Sequence, residues 1–122
     1  DLAHAIHFKK VVKATPEEHD KIIAFTSQLA HVVSNAYIKS PTHQQQLGFS
    51  AGSFQDLTRV AKLNENMWTP LFLMNKEPLL FEIDYIMARL GEYRKAIAED
   101  DSETLRQLLR EGRILKETTP VD

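Results

Sequence analysis

From Ile22 to Ile38 the sequence contains no Asp, Glu, Lys or Arg, yet one flank of the segment is polar. Thr15-Pro16-Glu17-Glu18 precedes it and reads as a strong helix start. Thr15 caps, Pro16 takes the first helical position, and Glu18 closes a capping box three residues on. Ile22, Phe25, Leu29, Val32, Val33 and Ala36 then recur at helical spacing. The spacing predicts one long helix over about residues 16–38, ending before Pro41. A face turned to water normally carries Lys and Glu, because charges are easily solvated and costly to bury. Here the flank is Ser27, Gln28, His31, Ser34 and Asn35. Such a helix is expected to be surrounded by protein, facing an interface or a closed pocket.

The rest of the pattern is also helical. Beyond a polar, Gln-rich loop, Phe54, Leu57 and Ala61 share one face of a short helix over about 54–63, with Asn64 as its stop. A third helix starts near Asn66 and carries Met67, Trp68, Leu71, Phe72 and Leu73. Pro78 demands a break or kink near Asn75, since a helix-interior proline costs about 3 kcal/mol. A fourth helix reaches about Glu99 and packs Leu79, Ile83, Ile86, Met87, Leu90, Tyr93 and Ile97. Asp101-Ser102 caps a last helix through Leu105, Leu108 and Leu109, with Gly112 near its end. The expected fold is all-α, a helical bundle of about five helices over residues 15–122. Residues 1–14 differ: Lys10-Val11-Val12-Lys13 reads as the last strand of an upstream domain, or as a linker. The first residue is Asp1 and not Met, so the chain reads as a fragment.

Several function classes fall away. A net charge of -2 with both signs interspersed offers no footprint for nucleic acid or an anionic membrane. No apolar run approaches the roughly 18–20 residues needed to span a bilayer. The absence of cysteine excludes a disulfide framework, a thiolate zinc site and a cysteine nucleophile, and fits a cytoplasmic setting. His19, His31 and His43 are spaced so that no one helix face holds all of them, and no metal is expected. Gly48, Gly52, Gly91 and Gly112 form no phosphate-binding loop, so no cofactor site is expected in this chain.

The residues that could carry chemistry are few. Asp56 and Arg59 stand one turn apart after the Gly52-Ser53 turn. An arginine on a rigid helix clamps a carboxylate or phosphate if it faces a cleft. If it faces water it is half of a weak surface pair. His31, with Ser27 and Asn35 one turn either side, is either a buried histidine satisfied by its neighbours or a pocket residue. His19 lies in the first turn of the same helix, and Trp68 is the sole tryptophan, a core or interface anchor by type.

The combination His19-Asp20, Ser27-Gln28-Leu29-Ala30-His31, Gly52-Ser53-Phe54-Gln55-Asp56-Leu57-Thr58-Arg59-Val60-Ala61, Met67-Trp68 and Asn75 resembles the C-terminal helical domain of prephenate dehydrogenases. The likeness runs from about Thr15 to the C-terminus. It implies an enzyme that pairs this dimerisation domain with an N-terminal dinucleotide-binding domain. That enzyme oxidatively decarboxylates prephenate to 4-hydroxyphenylpyruvate, on the way to tyrosine, with NAD or NADP bound by the other domain. Under this resemblance Arg59 is the carboxylate clamp, Asp56 orients it or closes the pocket, and Gly52 lets the backbone approach substrate. His31 and Ser27 line the substrate pocket, His19 lies nearby, and Trp68 sits at the seam of a homodimer. The family's catalytic histidine belongs to the other domain, so no catalytic residue is assigned here, and this chain alone is expected to be inactive. Gln28 and Ala30 stand where many relatives have histidine and proline, and Ser53 and Gln55 depart from a frequent Gly-Gly-Phe-Arg pattern. Both departures leave arogenate open as an alternative substrate. A non-catalytic helical interaction module is the reading from another class.

Overall fold

The computed structural model describes residues 15–45, 48 and 52–120. The Lys10-Val11-Val12-Lys13 run, His4 and His7 lie outside the described residues. Among those described the fold is all-α with five helices, the first of them in three parts. These parts are α1 (Pro16–Ile23), a π-helical segment (Ala24–Leu29) and α2 (Ala30–Tyr37). A 3₁₀ turn (Pro41–Gln45) follows, then α3 (Gly52–Thr58), α4 (Glu65–Met74), α5 (Lys76–Ala98) and α6 (Ser102–Thr118). No helix among the described residues is long and apolar enough to cross a membrane. The described residues fall into two compact units, divided between Glu82 and Ile83 within α5.

The first unit begins as the sequence predicts. Thr15 accepts a hydrogen bond from the Glu18 amide at 3.1 Å, and the Glu18 carboxylate accepts one from the Thr15 amide at 2.9 Å. This reciprocal pair satisfies two of the donors that a helix start leaves without partners. The continuous α-helix expected to follow is interrupted, because six residues from Ala24 to Leu29 are π-helical. Here the wider i→i+5 turn brings Gln28 and Leu29 together over Ala24, and all three are buried. The expected apolar arc is therefore only partly covered: Leu29 is buried, whereas Ile22, Phe25 and Ala36 are exposed. It is the uncharged flank that packs within this chain.

Three other boundaries shift for identifiable reasons. Helix α3 ends at Thr58 and not near Leu63, and the Ala61 carbonyl accepts the Asn35 side-chain amide at 2.9 Å instead of a helical N–H. Asn64 is less a stop than a start: in extended conformation, it caps α4 by accepting from the amides of Asn66 and Met67. Gly112 lies inside α6, which continues to Thr118. The glycine is tolerated at about 1 kcal/mol relative to alanine. Beyond it, the Thr118 hydroxyl donates to the Ile114 carbonyl at 2.9 Å and helps close the end. Pro78 acts as expected. Helix α4 stops at Met74, Asn75 leaves helical geometry, and Pro78 falls in the first turn of α5, where no partner exists for the N–H it lacks.

The second unit is a helical pair, the later part of α5 and all of α6. The C-terminus of α5 closes with two reversed bonds, Asp101 N–H to the Ala96 carbonyl at 2.8 Å and Asp100 N–H to the Ile97 carbonyl at 3.2 Å. Asp100 adopts φ 54°, the left-handed position that such a cap usually gives to glycine. Asp101 then caps α6 through Thr104, and the Tyr93 hydroxyl donates to the Leu108 carbonyl at 3.4 Å. Ala96 is buried, Ile83, Ile86 and Tyr93 are half-buried, but Met87, Leu90 and Ile97 are exposed. Much of the apolar surface predicted to form core is uncovered in the single chain.

Candidate functional site

His31 is the best-defined of the sequence-predicted residues. Its Nδ1 lies 2.8 Å from the Ser27 carbonyl oxygen, one turn earlier. A carbonyl can only accept, so Nδ1 carries the proton in this bond and Nε2 is the nitrogen left for other partners. The ring stacks on Trp68 of α4, with centroids 4.2 Å apart and planes 27° from parallel. Trp68 in turn meets Phe72 at 5.5 Å. One hydrogen bond and one aromatic face thus fix the imidazole on both its polar and its flat sides. Beside it opens a groove of about 180 Å³ lined by His31, Val32, Asn35 and Ala36 of α2, by Lys39 just beyond it, and by Leu63 and Phe72.

What holds α4 against the first helix is a buried amide relay. Gln28, only 6% exposed, donates through Nε2 to the Leu71 carbonyl at 3.2 Å and accepts from the Asn75 side chain at 2.8 Å. Asn75 also donates to the Asp20 carbonyl at 3.0 Å. The chemistry explains the arrangement. Near the end of α4 the Asn75 amide bonds back to Phe72, so the Leu71 carbonyl lacks that helical donor and Gln28 supplies one. A charged side chain at Gln28 would bury an uncompensated charge, which is why the flank is polar and uncharged. The relay and the π-helical segment together set where Trp68 stands relative to His31.

The remaining candidates do not join this cluster. Arg59 follows α3 in a turn, is exposed, and makes no ion pair or hydrogen bond through its side chain among the described residues. Asp56 is exposed on α3 and does not pair with it. Gly52 opens α3, and a methyl group added there would meet no atom within 4 Å. His19 is exposed in the first turn of α1, with Nδ1 3.7 Å from its neighbour Asp20. So the structure brings His31, Ser27 and Trp68 together, and no hydrogen bond, ion pair or ring contact among the described residues joins Arg59, Asp56, Gly52 or His19 to them. Lys39 was missed by sequence reasoning. Its signal was available: it is the first charge after the uncharged stretch and lies eight residues, two i+4 steps, from His31.

Residues 15–111 match the family described as prephenate dehydrogenase, dimerization domain. The chain is 27% identical over 115 residues to the prephenate dehydrogenase of Bacillus subtilis, covering 90% of this chain and 31% of that protein. It is 34% identical over 102 residues to the cyclohexadienyl dehydrogenase of Zymomonas mobilis, covering 79% of this chain and 35% of that protein. The prephenate dehydrogenase of Lactococcus lactis is 26% identical over 126 residues, covering 99% of this chain and 35% of its own length. The chain therefore spans about a third of the length of the curated relatives it matches.

Proposed function

The chain belongs to the prephenate dehydrogenase family through its dimerization domain, and on that premise we propose that it supplies substrate binding and the subunit interface of an NAD(P)-linked dehydrogenase acting on prephenate. The observation that carries the reading is His31, fixed by Ser27 and Trp68 beside a groove with apolar walls. That arrangement suits a ring-bearing acid, whose body needs apolar contact and whose carboxylates need fixed donors. Prephenate is such a molecule, with two carboxylates on a cyclohexadiene frame.

NAD(P), held by the rest of the enzyme, would supply the hydride acceptor for an oxidation in which the ring loses carbon dioxide and becomes aromatic. The glycines of this chain form no phosphate cradle, so the cofactor does not fit here and would be held by another part of the protein. The contribution of this domain is binding and orientation. Arg59, exposed on the single chain, would meet a substrate carboxylate once the rest of the enzyme or a second subunit encloses it. A guanidinium suits that task because its planar fork matches a carboxylate. Asp56 would close the pocket, Gly52 would admit substrate near the backbone, and His19 would stand at its edge.

The dimer reading draws on the uncovered apolar side chains. In the second unit Met87, Leu90 and Ile97 are exposed along one helix, spaced by three and seven residues, and Leu109 and Leu115 are exposed on α6. Monomeric proteins rarely leave such stripes to water. A homodimer in a cytoplasmic biosynthetic setting fits them. Two measurements test the proposal. Arg59→Ala in the intact enzyme should weaken prephenate binding by about 1.5 to 3 kcal/mol, the range for hydrogen bonds to charged groups; an unchanged KM would sink the assignment. Light scattering across protein concentrations should give a dimer, and a monomer at every concentration would remove the interface.

Initial rates with prephenate and with arogenate would decide between substrates. The departures at Gln28, Ala30, Ser53 and Gln55 keep arogenate in view.

A further inference from the structure

Three clefts among the described residues differ in the charge that lines them. The cleft of about 440 Å³ in the second unit sets Arg89 and Lys95 among Glu92, Glu99, Asp101 and Glu111. The cleft of about 350 Å³ in the first unit sets Lys21 between Glu77 and Glu82. In each, the cations already have carboxylates nearby. The groove beside His31 has a cation, Lys39, an imidazole and an amide, and no acidic residue among those that line it.

Lys39 lies just past the end of α2, with its backbone N–H bonded to the Ala36 carbonyl at 3.1 Å. Its side chain is exposed and makes no ion pair among the described residues. His31 and Asn35 stand one turn apart on α2, and Lys39, four residues further in the turn that follows the helix, lines the same groove. The Asn35 amide nitrogen is committed to the Ala61 carbonyl, which keeps the middle of the groove polar without adding charge. The walls at Val32, Leu63 and Phe72 are apolar. Such a groove suits an anion with an apolar body, whose charge meets the exposed ammonium while its body lies against the apolar walls.

We infer that Lys39 is an anion-binding residue of the His31 groove, holding a carboxylate of the ring-bearing substrate at the end of the groove away from the imidazole. This rests on the reading of the domain as substrate-binding and adds to it a second cation beside Arg59, one for each carboxylate of a dicarboxylic acid. An ammonium serves here as a point charge, and another cation of similar reach should replace it in part.

The test uses the intact dehydrogenase that carries this domain, with prephenate as the varied substrate. Lys39→Gln should raise KM at least tenfold with kcat within twofold of the parent, and Lys39→Arg should recover most of the loss. On the unaltered enzyme, saturating prephenate should slow acetylation of Lys39, read by mass spectrometry, several-fold relative to other exposed lysines. An unchanged KM in Lys39→Gln, while Arg59→Ala raises it, overturns the role of Lys39 and leaves the domain reading standing. Failure of both substitutions to move KM or kcat overturns both. A fall in melting temperature and kcat together, with KM unchanged and no protection of Lys39, assigns the lysine to the helix end and also overturns the inference.

Discussion

Each of the two units is held together internally by its own kind of interaction. In the first, buried or half-buried amides from Gln28, Asn35 and Asn75 reach across tens of residues of sequence to backbone carbonyls. In the second, the bonds are short-range: the reversed cap at Asp100, the Asp101 cap, and exposed pairs such as Arg89–Glu92 at 2.6 Å and Arg113–Glu117 at 3.0 Å. Exposed pairs of that kind contribute about 0.3 to 0.5 kcal/mol each. The difference teaches where specificity is stored. The unit that positions His31 depends on buried polar groups, while the helical pair relies on local signals and leaves much of its apolar surface uncovered.

Substitutions can break or sharpen this contrast. The largest effect is expected from Gln28→Leu, which strips the Leu71 carbonyl of its donor and removes an acceptor from Asn75. Leaving a buried group unpaired should destabilise the first unit by about 1 to 3 kcal/mol. Urea unfolding measures it, and a neutral outcome would show that the relay merely accompanies the packing. The next effect is expected at Asp101 in the second unit. Hydrogen bonds from the Thr104 hydroxyl and then the Thr104 amide hold its carboxyl below the usual aspartate range. A lowered folded value means the stabilisation is complete above the unfolded pKa of about 3.9 and is lost as pH falls through the folded value. Protection of the Thr104 amide, taken relative to its intrinsic exchange rate, should therefore fall in acid at the start of α6, and a constant protection factor down to pH 2 would contradict the cap. The smallest effect is expected from Asp100→Gly. A glycine accepts φ 54° without strain, so the variant should gain about 0.5 to 1 kcal/mol in thermal unfolding. A loss there would mean the aspartate side chain does more than occupy the turn.

The same contrast explains what could be seen in advance. The capping box at Thr15, the break before Pro78 and the Asp101 cap depend on neighbours in sequence, and each was legible from residue type and spacing. The early end of α3, the π-helical turn and the burial of the polar flank depend on partners far along the chain. Asn35 and Ala61 are 26 residues apart, and Gln28 and Asn75 are 47 apart. No helical period encodes such a pairing. Of the site, His31 and Trp68 could be picked out by type, whereas their stacking could not, since it follows from how the relay seats α4. Lys39 was passed over because a lysine after a helix end ordinarily only offsets the helix dipole.

A π-helical turn can be viewed as a helix carrying one surplus residue. Deleting a single position between Ala24 and Leu29 would let the segment relax to ordinary α-helical winding. Were the six residues instead rewound as α-helix with none removed, everything upstream would swing by up to about 100° around the axis relative to His31, the angle of one helical residue. Asp20 would turn away from Asn75, and the two ends of the rod would no longer address the same neighbours. The irregular stretch thus works as an angular spacer, tuning by one amino acid which way the entrance to the domain points.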